Sequence, residues 1–597
     1  MTQLIHFNDS GPCAGRREGF IAGHGRIAMP PSLSFLTSRW AATNVVVRRD
    51  PLRVSLIAVF HVAALYIMAT TEYAPEQKAA FVLTWGALNF FWLALLRRPG
   101  VSAAISLTMI VLLVELSQLK WKVLWITVNF VDLMVIDPDT ISFLFTIFPG
   151  LTAIAPAAAA AAVPILVLLW RLDPFRVRRL IALAGVAGCL AGLVGVSHAV
   201  PMGEYEGFYG YNYVSHFARS GVDAISALIS QGYMESDAIV SDRLKAADQT
   251  CQPTHKPPHI ILVHDESAFD IRRAPGIRVP SGYGDHFRSF DGKRRRFVVE
   301  GAGGPSWYTE YNVLAGLSAR SFGRFSYFVT RIAVGRVQRG LPHALRRCGY
   351  QTFSLYPSLG AFMSAGSFQK TTGVQNFYDS KAMGTRNLEP DRFYYDTAAK
   401  IFERERGKGP AFVFVYLAAN HFPWDYRWRP ELMPQWKDPG NQPSVVDEYL
   451  RRQTMGMQDY ADFVSRLKRD FPTESFLIVR YGDHQPDFAS LLLEPGIDDA
   501  TIAKRIATYD PRYFTTYYAI DAINFKPIDT SSALETLEGP YLPLIVQESA
   551  GLPLDPSFAE QKSILQRCNG LFFACNGGAE ARRFNRLLID AGLIKRL

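Results

Sequence analysis

The sequence predicts two parts of different class: a multi-span α-helical membrane domain, then an external three-layer α/β/α sandwich. Three observations predict this. Apolar stretches near membrane-spanning length crowd residues 51–200. From residue 258 onward, short apolar runs alternate with helix-like stretches, the pattern of βαβ units and a mainly parallel sheet. The run Phe476-Leu-Ile-Val-Arg-Tyr-Gly-Asp483-His484 stops abruptly in a Gly and then an Asp–His pair. Open α/β sheets place their sites at such strand ends.

Residues 1–50 contain Gly, Pro and Arg without an apolar core stretch, so a flexible cytoplasmic tail is expected, with no cleavable signal peptide. Five spans are expected at about 53–70, 79–96, 102–119, 150–170 and 180–199. The fourth contains the run Ala157–Ala162, where small side chains would permit close helix packing. The stretch 121–149 is apolar but carries Asp132, Asp137 and Asp139, so it reads as interfacial or re-entrant. Residues 201–257 form a juxtamembrane connector, within which Gly221–Ile229 has the pattern of an amphipathic helix lying on the membrane.

The net charge is +9, yet much of the excess sits in the membrane part. Residues 1–53 hold seven Arg against Asp9, Glu18 and Asp50. The turn Arg97-Arg98 and the loop Arg171–Arg179 are basic, whereas the loops at 71–78 and 120–149 are not. This alternation orients a membrane protein; it does not describe a nucleic-acid surface, and no nucleic-acid partner is expected. It places the N-terminus in the cytoplasm of a multi-pass inner-membrane protein, with everything beyond residue 200 periplasmic or extracellular. Of six Cys, Cys251, Cys348, Cys568 and Cys575 fall in that outer part. An even count in an oxidising compartment permits two disulfides. Cys568–Cys575 is the local pair, which leaves Cys251–Cys348.

The outer domain, 258–597, shows strand candidates at 259–264, 296–300, 351–356, 411–417, 475–481 and 516–524. Helices are expected at 307–317, 339–348, 393–405, 445–470 and 577–592. Strand ends then gather chemistry at one sheet edge. Glu266 follows His259–His264, Asp483 and His484 follow Phe476–Tyr481, and Asn420-His421 follows Phe412–Leu417. Ser306 lies in the Gly-rich turn Gly303-Gly-Pro-Ser. Two carboxylates, an imidazole and a hydroxyl make a four-ligand divalent-metal set that would lower the hydroxyl pKa and create a nucleophile. His264 and Asp265 are candidate partners of those ligands. Trp307, Tyr308 and Trp424 are either packing residues or the lining of a substrate groove.

The ordered motifs Glu266-Ser, Gly303-Gly-x-Ser306 with Glu310, Asn420-His-Phe-Pro and Gly482-Asp-His resemble a known family. It is the lipoteichoic acid synthase and phosphoglycerol transferase branch of the alkaline phosphatase–sulfatase superfamily. The resemblance implies metal ligation by Glu266, Ser306, Asp483 and His484, with Mn or Zn as the ion and Mg as a further option. It implies Ser306 as nucleophile, usually Thr in this branch, with Thr309 as the alternative. It implies His421 at the transferred phosphate or leaving group; Trp307, Glu310 and Trp424 are candidates for substrate contact read from the residues themselves. The implied donor is a membrane phospholipid, phosphatidylglycerol first, and the implied acceptor an envelope glycan. One departure stands out: the stretch Tyr356–Gly366 lacks the Arg with which such synthases hold glycerol phosphate. A sulfatase-like or phosphodiester hydrolase, a phosphoethanolamine transferase and a non-catalytic envelope protein are the alternatives.

Overall fold

A computed structural model describes residues 51–124, 126–202, 206, 210–240, 243–244 and 251–595. The expected tail, and Cys13 with it, lies outside the described residues. The chain divides into two compact units, Met1–Ala63 and Ala64–Leu597. The first is described from Pro51 on, as the opening of a helix.

Among the described residues, five helices are long and apolar enough to cross a membrane. They belong to α1 (Pro51–Thr71), α2 (Pro75–Leu96), α3 (Pro99–Leu124), α6 (Leu151–Leu172) and α7 (Arg179–Ala199). Within the second unit α2 and α7 approach closely. A Cβ on Gly185 would lie 2.5 Å from the Phe90 ring, so this contact requires the absent side chain. The Ala run of α6 does not play the packing part expected of it, since Ala157–Ala162 are exposed. Between α3 and α6 the chain forms two short helices, α4 (Phe130–Met134) and α5 (Pro138–Ile147), consistent with an interfacial segment.

The connector helix is longer than the sequence suggests, α8 (Tyr213–Gln231). Its N-terminal half is buried, including Val214, Ser215, His216 and Arg219. This half is a member of the helical bundle, and the segment Gly221–Ile229, expected to lie on the membrane, begins where that burial ends. Only its last turns keep apolar residues exposed, Ile225 and Ile229.

The outer domain is built on an eight-stranded sheet of order β4-β3-β5-β1-β6-β7-β2-β8. The strands are β1 (His259–Asp265), β2 (Arg295–Val298), β3 (Gln351–Leu355), β4 (Asn376–Tyr378), β5 (Ala411–Tyr416), β6 (Phe476–Gly482), β7 (Thr515–Ile523) and β8 (Thr536–Glu538). Neighbours from β4 to β6 run parallel, and β7 is antiparallel to both β6 and β2. The three-residue edge strands β4 and β8 carry no readable sequence signal.

Strand alternation divides the core in two. Ile260, Leu262, Phe412, Phe414, Leu477 and Val479 face one side. There they meet α9 (Ser306–Ala315), α10 (Leu341–Arg347) and α11 (Ala365–Thr371) through Tyr311, Leu345 and Phe368. Ile261, Val263, Val413, Val415 and Ile478 face the other. There they meet α12 (Asp391–Glu405) and α13 (Val445–Asp470) through Tyr395, Phe402 and Phe463. Helices on both faces give the three layers. Each fully buried Ile, Leu, Val or Phe contributes about 1.5–3 kcal/mol, so the central strands are the most strongly fixed part of the domain.

Both expected disulfides form, Cys251–Cys348 and Cys568–Cys575. The first joins the start of the outer domain to the end of α10 across 97 residues of sequence. Replacing Cys251 and Cys348 by Ser is expected to destabilise the outer domain by about 2–5 kcal/mol. Denaturant unfolding of the oxidised protein and the variant checks this, and equal midpoints would contradict it.

Candidate active site

The site is assembled by the ends of β1 and β6. Asp265 of β1 stands in register with Gly482 of β6, so Glu266 and Asp483 emerge side by side. The backbone beyond β1 runs against this strand end. A Cβ on Gly482 would sit 1.7 Å from the Ala268 carbonyl oxygen, which explains the Gly immediately before the Asp–His pair. Ser267 takes a left-handed conformation, φ 52°. Its N–H donates to Asp483 Oδ1 at 2.7 Å, and its hydroxyl donates to Glu266 Oε1 at 2.9 Å. One residue thus orients both carboxylates.

Ser306 is the first residue of α9, and its side chain converges on the pair. Its hydroxyl lies 3.4 Å from Glu266 Oε2 and 3.1 Å from His484 Nε2. His484 Nε2 is in turn 3.4 Å from Glu266 Oε1 and 3.3 Å from Asp483 Oδ2. The His484 ring is fixed by a 2.8 Å contact of Nδ1 with the Gln485 carbonyl. All four residues are buried. Burial by itself raises the Asp483 carboxyl, but the His484 and His264 imidazoles outweigh it and hold the group well below the usual range. Burial likewise depresses His484, but the Asp483 and Glu266 charges outweigh it and push it up to about 9.

His264 belongs to the same cluster, which the sequence reading left open. Its Nε2 is 3.1 Å from Asp483 Oδ2. Its Nδ1 is 2.8 Å from the Tyr481 hydroxyl, and its ring stacks on Tyr416 with centroids 3.8 Å apart. Ligand atoms of His264, Glu266 and Asp483 all lie within 4.8 Å of one another. Strand alternation is the signal that finds His264, because residues 264 and 266 share a face, as do 481 and 483. Asp265, on the opposite face, is out of the site. It accepts from the Tyr517 hydroxyl at 2.5 Å and sits 3.3 Å from His286 Nε2.

These residues fit a divalent cation. His264 Nε2 and Asp483 Oδ2 are buried and make no hydrogen bond among the described residues, although they lie close together. Carboxylate, imidazole and hydroxyl donors are the set that Zn²⁺, Mn²⁺ or Mg²⁺ accepts. The negative charge that draws a proton to His484 would equally draw a metal ion.

The remaining candidates fall elsewhere. The Thr309 hydroxyl donates to the Asp483 carbonyl at 2.7 Å and is fully buried, so it supports the strand end and is not a nucleophile. Glu310 is fully buried one turn below Ser306 and accepts from Gln369 at 2.9 Å, which corrects the expectation of substrate contact. Trp424 is a core residue packed against Tyr449 and Phe488, and is likewise removed from any groove. Trp307 is partly buried; its indole N–H donates to the Tyr327 carbonyl at 2.9 Å, and its ring meets Phe362. His421 lies on the loop after β5, stacked on Phe422, with its carbonyl held by Arg452 at 2.7 Å.

Residues 305–512 match the family model described as Sulfatase, a segment that includes Ser306, His421, Asp483 and His484. No curated protein matches the chain in sequence. Among solved structures, the chain is similar to the lipoteichoic acid synthase LtaP of Listeria monocytogenes (15% identity, 50% of this chain and 72% of that one, TM-score 0.39). It is similar to the phosphoglycerol transferase GacH of Streptococcus pyogenes (13% identity, 58% and 88%, TM-score 0.44). It is also similar to the integral-membrane lipooligosaccharide phosphoethanolamine transferase EptA of Neisseria meningitidis (13% identity, 79% and 95%, TM-score 0.40).

Two outcomes follow from this geometry. His264→Phe keeps a ring against Tyr416 but removes the nitrogen facing Asp483. It is expected to weaken divalent-cation binding about 10- to 100-fold, read by calorimetric titration of the metal-free protein; unchanged affinity would leave His264 a packing residue. Burial pushes the Glu310 carboxyl up to about 8 from 4.5. Between those values the unfolded chain holds fewer protons than the folded one, so this group lowers stability as pH rises through that window. Glu310→Gln removes the effect. Thermal melts should show the variant gaining on the parent at pH 8 and matching it near pH 5; a constant difference would contradict the assignment.

Proposed function

We propose that this chain, with its sulfatase-type segment and five apolar helices, is a membrane-bound, metal-dependent phosphotransferase. It moves a phosphoglycerol unit, or a similar phospholipid headgroup, from a lipid donor to a hydroxyl of an envelope glycan. The observation that carries this reading is the convergence of the Ser306 hydroxyl on Glu266 at 3.4 Å and on His484 at 3.1 Å, with Asp483 3.3 Å from the same His484 nitrogen.

In the first half-reaction Ser306 Oγ forms a bond to phosphorus and the bond to the diacylglycerol oxygen breaks. The serine proton ends on the departing diacylglycerol. In the second, the acceptor oxygen bonds to phosphorus, the Ser306 Oγ–P bond breaks, and the acceptor's proton restores the serine. Glu266, Asp483, His484 and the Ser306 oxygen would hold the cation, joined by His264. When bound, it supplies a lowered hydroxyl pKa and positive charge beside the phosphoryl oxygens. Because α9 begins at Ser306, its N-terminal dipole adds positive potential at the same place. His421, on the loop after β5, is proposed at the phosphate or the leaving oxygen from its Asn-His-Phe-Pro motif; among the described residues no contact to the Ser306 cluster stands behind that role. Loop charges and the two disulfides support a cytoplasmic N-terminus and a periplasmic catalytic domain.

One observation favours a second headgroup. The stretch Tyr356–Gly366 lacks the Arg expected to hold glycerol phosphate, and its Ser364 donates instead to Asp137 at 2.5 Å. A phosphoethanolamine unit is therefore the alternative cargo.

The test uses the purified full chain in detergent with Mn²⁺ and acyl-labelled phosphatidylglycerol. Diacylglycerol release is expected, with a phosphoglycerol adduct on the Ser306 peptide by mass spectrometry. Ser306→Ala should abolish the adduct and lower release on the order of 10³-fold or more. Release without any adduct points to a hydrolase. Release from phosphatidylethanolamine alone reassigns the headgroup, and none from either lipid overturns the reading.

A further inference from the structure

Helix α5 has an odd position. It hangs between α3 and α6, two helices long and apolar enough to cross a membrane, yet its other neighbour is the rim of the candidate active site. Asp137 and Asp139 at its start are bonded to Ser364 and Ser367 of the outer domain. Phe143 meets Phe362 with ring centroids 5.3 Å apart, and Phe362 meets Trp307, the residue after Ser306, at 6.1 Å. On the other side α5 has no partner among the described residues. Ile141, Leu144 and Phe145, at i, i+3 and i+4, are 49%, 40% and 42% exposed, and Ile147 follows at 45%. No residue of α5 is buried. Leu133 and Ile136, just before it, extend the apolar surface. The only charge within the helix, Asp139, is turned to the Ser367 bond.

Four apolar residues of α5 open to water are a poor fit for a segment flanked in sequence by two helices long and apolar enough to cross a membrane. The parity of the chain adds a constraint. Two spans, α6 and α7, separate α5 from the outer domain, so both lie on the same side of the bilayer, as their direct contacts require. We infer that α5 lies in the outer-domain-facing leaflet, its Ile141–Leu144–Phe145 stripe among phospholipid acyl chains, and that it fixes the candidate active site at the height of the headgroups. The occupant of this face is the bilayer itself, as the continuity with α3 and α6 dictates. The role in donor delivery rests on the transferase reading; the seating of α5 does not.

The test uses the full chain with Cys13→Ser and Cys189→Ser, and a polarity-sensitive thiol fluorophore on Leu144→Cys. The protein is placed in phosphatidylglycerol/phosphatidylethanolamine nanodiscs whose acyl chains are brominated or plain. Brominated chains are expected to quench the label strongly and aqueous iodide weakly, with the reverse for a label on exposed Lys408→Cys. Iodide quenching equal at both positions overturns the inference. So does shielding from both quenchers with energy transfer between labelled copies, since that would mean a second chain covers the face. In a second measurement, Ile141→Asp with Phe145→Asp should lower headgroup transfer from the bilayer about tenfold while hydrolysis of soluble bis(p-nitrophenyl) phosphate is unchanged. Equal loss on both substrates would show that α5 only supports the fold. If quenching shows a seated helix but neither substrate is turned over, the transferase reading fails and the seating stands.

Discussion

Two carboxylates, Glu266 and Asp483, are buried together with ligand atoms within 4.8 Å, and the structure is organised around making that tolerable. Unpaired buried charge is costly enough that a neutralising partner is obligatory. Here the partners are two imidazoles, His264 and His484, which approach from the same strands that carry the acids. The parallel register of β1 with β6 decides whether this works. A slip of one residue would send His264 and Glu266 to the opposite face, where Asp265 and Arg480 already belong to a separate polar network with His286, Tyr517 and Asp521. The requirement for Gly at 482 and the left-handed turn at Ser267 are local consequences of bringing two chain segments this close.

A second organising contact joins the helical and outer parts of the Ala64–Leu597 unit. Lys120, near the end of α3, pairs with Asp132 at 2.7 Å and lies over the Tyr327 and Phe328 rings. Arg324 pairs with Asp223 of α8 at 3.1 Å. Val131 of α4 and Ala224 of α8 belong to the same apolar core as Tyr311 of α9, the helix that Ser306 opens. The candidate site is thus held from behind by the sheet and from the side by helices that border the membrane.

Much of this was legible in the sequence. The five long apolar helices announce themselves, because segments apolar enough for lipid stand out from any soluble pattern. The strands β1, β5 and β6 are legible because a sheet covered on both faces needs continuous apolar runs. Asp483-His484 stands out because a charged pair at the end of such a run has no packing reason to be there. The rest depends on partners distant in sequence. Trp424 looks the same whether it lines a groove or meets Tyr449 and Phe488. Gly221–Ile229 looks amphipathic whether its partner is lipid or α2, α3 and α7. His264 and Glu310 differ in role only through which face of a strand or helix meets which neighbour, and β4 and β8 are too short to show a period.

The shared core carries a consequence for modularity. Val131, Ala224 and Met234 all precede residue 258, yet each is buried in the core of the domain that follows. Cutting the chain just before residue 258 would leave that core short of three side chains and open a hydrophobic scar on the side of the core that also holds Tyr311 of α9. The segments before residue 258 are therefore a structural lobe of the sheet domain, and exchanging them for others would require rebuilding the surface that meets them.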